Sequence, residues 1–201
     1  MRISKEAAGA NKARVIEAAT RLLREKGFEG LGVAEVMKEA GFTHGGFYNH
    51  FGSKEDLAVA AVRSAFDGAV TRVAARAAKA KTPKLRAEAF RHYVERYLSK
   101  GTRDAPGSAC PMASLGTDAA RHGEALKAQF AQGVARYLEA FADVVPSDNR
   151  SDKSNDNRQT AMVAISTLIG ALTLSRACAG ADDALSEEIL AAVREGLLKQ
   201  R

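Results

Sequence analysis

GVAEVMKEAGFTHGGFYNHFGSK, residues 32–54, holds two helix signals on either side of one glycine turn. Val33, Val36, Met37 and Ala40 recur at i, i+3, i+4 and i+7, which places them on one face of a short helix. Gly41 ends it. Glycine adopts positive φ without the steric cost other residues meet, so Gly41-Phe42 predicts a tight turn out of that helix. Thr43 then stands where it can cap a second segment. In it Phe47 and Phe51, four apart, face inward, while His44, Gly45, Tyr48 and Asn49 lie elsewhere on the cylinder. This is the layout of a helix-turn-helix.

The flanking residues complete a small three-helix unit. Residues 2–10 read as a frayed polar arm, with Arg2 and Lys5 available to a phosphate backbone. Asn11 predicts the cap of a first long helix whose stripe is Val15, Ala19, Leu22 and Leu23, ending at Gly27. Phe28 and Leu31 are expected to seal the core, because a domain this small needs every aromatic it has. On the other side, Ser53 followed three residues later by Asp56 is a capping-box-like start for a further helix carrying Leu57, Ala61 and Ala65.

The run AGFTHGGFYNHFGSK, residues 40–54, resembles the DNA-binding signature of the TetR family of bacterial transcriptional regulators. Turn, aromatic pair, His, Phe and Lys fall in the same order, and the resemblance covers about the first sixty residues. It implies a reader over 1–54 and a helical ligand-binding and dimerisation domain over 55–201. It also implies that His44, Gly45, Tyr48 and Asn49 face bases and that Thr43, His50 and Lys54 touch phosphate. Among these, Asn49 has the chemistry for direct readout, since its amide can bond bidentately to adenine. The phosphate contacts set register and carry little sequence information. Gly32, Ala34 and Gly46 depart from the family pattern at positions where a capping hydroxyl, a basic residue and a small hydroxyl are common, so weaker or more salt-sensitive binding is expected. Gly45-Gly46 also weakens the recognition helix, by about 1 kcal/mol per residue relative to Ala.

The 46% hydrophobic content is ample for a packed core, and four prolines, no tryptophan, frequent Ala and Leu and little β-branched alternation argue for an all-α chain. Cys110 and Cys178 give no disulfide framework, and the start of the sequence is not a charged-then-apolar leader, so the cytoplasm is expected. No apolar run is read as approaching the ~20 residues that span a bilayer. The net charge of +6 is unevenly spread. Residues 1–60 carry nine Lys/Arg against eight acidic residues, 61–110 eleven against four, and 111–201 ten against twelve. The presumed reader is barely basic, so the motif, not the charge, carries the DNA-binding inference. The basic middle reads as a solvated helix surface in preference to a second nucleic-acid patch.

The fourth helix is expected to run to about Lys79, with Pro83 as breaker, and to be followed by a helix over 84–100 bearing Phe90, Tyr93, Val94 and Tyr97. GTRDAPGS, residues 101–108, reads as loop. Pro111 predicts a helix start with Cys110 as N-cap. Two readings of that thiol stand side by side: activation by the positive end of the helix dipole, or a small buried hydrophobe. Cys178 reads as core. A helix over 124–145 carries Leu126, Phe130, Val134, Tyr137, Leu138 and Phe141. With Phe90, Tyr93, Tyr97, Cys110 and Met112, the aromatic Phe130 and Tyr137 are candidates to line a cavity between helices, a reading that rests on the resemblance. Residues 146–157 read as an exposed loop. The last two helices, one with Met162, Ile165, Leu168, Ile169 and Leu172 and one capped by Ser186, have more apolar surface than a monomer leaves exposed and are expected to form a four-helix homodimer interface.

The reading that follows is a homodimeric, ligand-responsive transcriptional regulator, a repressor released from a palindromic operator by a small molecule or electrophile. No cofactor, metal site or membrane contact is expected. The rival class is an all-helical enzyme with Cys110 as nucleophile, for which no paired base stands out; His92 and His122 read as surface residues. A non-responsive DNA-binding protein is the third possibility, distinguished by a C-terminal core with no ligand-sized cavity.

Overall fold

Two glycines set the angles at which the first three helical segments meet. A computed structural model describes residues 5–146 and 153–199. Helix α1 (Lys5–Lys26) stops at Gly27, φ 72°, and α2 (Val33–Glu39) turns at Gly41, φ 79°. At the second turn the Phe42 N–H donates to the Met37 carbonyl at 2.8 Å and the Gly41 N–H to Lys38 at 3.1 Å, a Schellman closure. Helix α1 begins earlier than expected: Asn11 lies inside it, not at its cap, and residues 5–10 of the supposed arm are helical. Arg2 lies outside the described residues.

The second helix of the helix-turn-helix is a 3-10 helix, His44–Asn49, with Gly46 N–H on the Thr43 carbonyl at 3.0 Å. Thr43 occupies the N-cap, but its side chain makes no capping bond. Phe51 follows the C-cap His50 and so belongs to the next turn of chain. Gly45-Gly46 accounts for the tight short form, since glycine adds no side-chain packing and costs the most backbone entropy in an α-helix.

Helix α3 (Lys54–Ala77) joins the reader to the body. The Ser53 hydroxyl accepts from the Asp56 N–H at 3.0 Å, the expected cap. Pro83 does not break this helix. It opens α4 (Pro83–Tyr97), where its missing N–H costs nothing, with the Thr82 hydroxyl accepting from Leu85 N–H. The stretch read as loop contains α5 (Lys100–Asp104), capped by Ser99, and a 3-10 turn at Pro106–Ser108. Single turns are too short for periodicity to reveal.

Helix α6 (Pro111–Arg121) starts at Pro111 with Cys110 as N-cap residue. Helix α7 (Glu124–Ala142) ends three residues short of expectation. Helix α8 (Lys153–Cys178) takes in the last part of the supposed 146–157 loop, of which residues 147–152 lie outside the described residues. Helix α9 (Asp183–Lys199) is capped by Asp182, whose carboxylate accepts from Leu185 N–H at 2.9 Å, and not by Ser186. Ser186 is instead fully buried, its hydroxyl bonded to Ser175 at 2.8 Å and accepting from Arg103 at 2.8 Å. A serine in a helix's first turn imitates a cap in sequence; here the residue four positions earlier takes that role.

Helices α3 and α7 pack closest at Gly133, where a Cβ would stand 2.3 Å from the Phe66 ring. The core continues through Phe90, Val94, Leu115, Phe141 and Leu168. Among the described residues there is no strand. One helical stretch, Asn157–Cys178, has the length and mean hydropathy, 1.6, to cross a membrane, which corrects the sequence reading on that point. In this fold Ala161, Ala164, Ile165, Leu168 and Leu172 of that stretch are buried within the protein.

Candidate nucleic-acid interface and ligand cavity

The reader is built by burying one set of rings and exposing another. Phe47 is 1% exposed and stacks on Phe51 at 5.8 Å, while the neighbouring Tyr48 is 72% exposed. Tyr48 only meets the edge of Phe47, so its ring is not shared with the core. Thr43, His44, Gly45, Asn49 and Lys54 are exposed with it. His50 is half-buried, its ring 6.1 Å from that of Phe42. Two cations that the sequence analysis passed over flank this surface from α1. Lys12 stands over the Phe51 ring at 4.9 Å and Arg14 over Phe42 at 4.9 Å. A cation pair two apart on a helix is too common a pattern to flag by itself. Exposed ion pairs, Arg21 with Glu39 and Lys26 with Glu35 at 2.6 Å, tie α1 to α2 and add little stability each.

Helix α6 ties the reader to the body. The Asp118 carboxylate accepts from the Phe28 N–H at 3.0 Å, and the His122 ring lies 4.3 Å from the Phe28 ring. His122 is thus half-buried at the junction and not a free surface residue, whereas His92 is exposed.

In the body, α3, α4, the segment before α6, and α7 line a partly open pocket of about 110 Å³. Tyr93, Tyr97, Cys110 and Tyr137 line it together with Arg72, Arg76 and Arg96. The Tyr93 and Tyr137 hydroxyls bond to each other. Burial holds all three phenols well above the ordinary tyrosine range, so they stay protonated donors.

A family model described as bacterial regulatory proteins, tetR family, matches residues 15–61. The HTH-type transcriptional regulator LmrA of Bacillus subtilis (strain 168) is 42% identical over 55 residues, which span 27% of this chain and 29% of that protein. Over that segment the chain is similar to the DNA-binding domain of TetR-family regulators. The match covers less than a third of that curated relative's length. The fold extends further. The TetR-family regulator from Agrobacterium tumefaciens superposes with a TM-score of 0.75 at 18% identity, over 96% of this chain and 98% of that one. The reduced form of E. coli NemR gives 0.72 at 20% identity, over 92% and 95%.

The chemistry around Cys110 does not favour a nucleophile. Burial pushes the Cys110 thiol up, and this outweighs the opposing pull of Tyr97 and of the α6 N-terminal amides. Cys178 is half-buried at the end of α8. The candidate pocket residues do not converge on one space. Met112 and Phe130 line a separate groove of about 280 Å³ between α6, α7 and α8, and Phe90 packs near Phe141 in the core. The basic middle, read as a solvated helix surface, is one at Arg72 and Arg96, which are exposed at the rim of the pocket, while Arg76 is half-buried.

Proposed function

We propose that this chain is a TetR-family regulator, a homodimeric, ligand-responsive repressor that leaves a palindromic operator when a small molecule occupies its helical body. The observation that carries the reading is the recognition segment itself: adjacent Phe47 and Tyr48 point to opposite environments, leaving His44, Tyr48 and Asn49 free for a major groove. Thr43, His50 and Lys54 then hold phosphate, and Gly45 lets the backbone approach the duplex. Residues 1–54 act as the reader and 55–201 as the sensing and pairing domain, with α3 crossing between them.

Exposed Met162, Val163 and Leu174 on α8 and Leu185 on α9 support pairing through the last two helices. An interface of this kind buries ~2,000 Å² or more. It would set two recognition segments about 34–36 Å apart, one turn of DNA. The repressor acts in the cytoplasm, where its operator is. The inducer is a small molecule or an electrophile, and Cys110→Ser separates the two: release is expected to be unchanged for a reversibly bound molecule and lost for an electrophile captured by the half-buried thiol.

The test is the affinity of wild type and Asn49→Ala for DNA upstream of the protein's own gene and for a random duplex, across a salt series. Wild type is expected to prefer its own DNA by ~10³ or more, and Asn49→Ala to lose ~1–3 kcal/mol of that preference. Equal, weak binding of both duplexes by both proteins overturns the reading.

A further inference from the structure

Three arginines line the 110 Å³ pocket, and among the described residues no acidic one lines it with them. Arg72 and Arg76 stand one turn apart on α3, a like-charged i,i+4 pair that destabilises a helix, and Arg96 joins them from α4. None of the three has an ion pair among the described residues, and no Asp or Glu is among the residues lining the cavity. Two further arginines back the same wall. Arg24 donates to the Ala109 carbonyl at 3.0 Å, and Arg176 donates to the Arg103 and Thr102 carbonyls, each at 3.0 Å, so their charges rest on neutral acceptors. The Tyr97 hydroxyl is buried there with no nitrogen or oxygen partner and leans on the Cys110 thiol, a weak acceptor. A buried donor on so weak an acceptor is costly.

Arg72 and Arg96 reach solvent at the rim, Arg76 is half-buried and Tyr97 is buried, so an anion seated here meets a cationic rim and one buried donor. The rest of the lining sets Ala69, Val73, Ala109 and the phenol rings beside Thr102 and Ser108, so there is an apolar wall for a small organic body next to the cations. At 10–15 Å³ per water-sized position, the space holds roughly seven to eleven such positions, well below a drug-sized pocket. We infer that this cavity binds a small organic carboxylate, a single-ring or short-chain acid, with the Tyr97 hydroxyl and the arginine cluster on its carboxylate. Arginine suits the role because its planar donors match a carboxylate in pairs. The inference rests on the regulator reading and names the chemistry of its inducer.

The experiment is titration calorimetry and thermal melting of the full chain with benzoate, hexanoate, their uncharged amides benzamide and hexanamide, and inorganic phosphate. At least one acid is expected to bind and to raise Tm with concentration, while the matching amide does not. Arg76→Gln and Tyr97→Phe are each expected to weaken that acid by about tenfold or more. Arg96→Gln, on an exposed side chain, serves if either variant melts early. The inference is overturned if no acid binds at up to about 10 mM, a Kd two decades above micromolar-range effectors at ~100 μM. It is also overturned if the amides bind as well as the acids, or if phosphate alone binds. Operator binding is followed in parallel. An acid that binds without altering a specific operator complex upholds the ligand class and breaks the inducer role. Specific operator binding with no acid bound does the reverse.

Discussion

The reader and the cavity both depend on aromatic rings, and they use them in opposite ways. In the reader, Phe47 and Phe51 are spent on the core, and function falls to what stands beside them: Tyr48, Asn49 and His44 on the outside of the same short segment. In the cavity, Tyr93, Tyr97 and Tyr137 are both core and lining, buried yet polar at one end. The reader's groups lie within a dozen consecutive residues. Those of the cavity come from four parts of the chain between Ala69 and Tyr137. A surface built from one segment needs only local geometry, whereas an interior site needs the whole bundle to close around it.

The hardest test of this contrast is Phe47→Ala against Tyr48→Ala. Removing the buried ring is expected to cost ~3–5 kcal/mol in denaturant unfolding, because the small reader has few other rings to close over the gap. Tyr48→Ala is expected to stay within ~0.5 kcal/mol while weakening operator binding. Equal stability losses would mean that Tyr48 belongs to the core after all.

The body has its own critical point of close approach. Gly133→Ala puts a methyl against Phe66, which must shift with α3, so a loss of ~1–3 kcal/mol is expected in the same assay. A neutral result would show that the α3 and α7 packing yields where the Phe47 site does not. A smaller loss than at Phe47 or Gly133 is expected where the two regions meet. Ser53→Ala removes the α3 cap and is expected to cost ~1 kcal/mol, read as a modest drop in Tm.

The sequence by itself determined the all-α class, the turn at Gly41, the inward pair Phe47 and Phe51, the Ser53 cap and the Pro111 start of α6. Each is a local property, set by φ preference, helical period or one side chain reaching its own backbone. Local signals also misled where two residues offered the same chemistry. Asp182 displaced Ser186 as a cap, Pro83 opened a helix instead of ending one, and Asn11 was overrun by α1. Only the tertiary structure decided which buried groups share a space. It separated Met112, Phe130 and Phe90 from Tyr93, Tyr97, Cys110 and Tyr137, and brought Arg72, Arg76 and Arg96 to the latter. Helical period says which face of a helix turns inward. Which residues meet there depends on crossing points such as Gly133, where two helices far apart in the chain are fixed against each other.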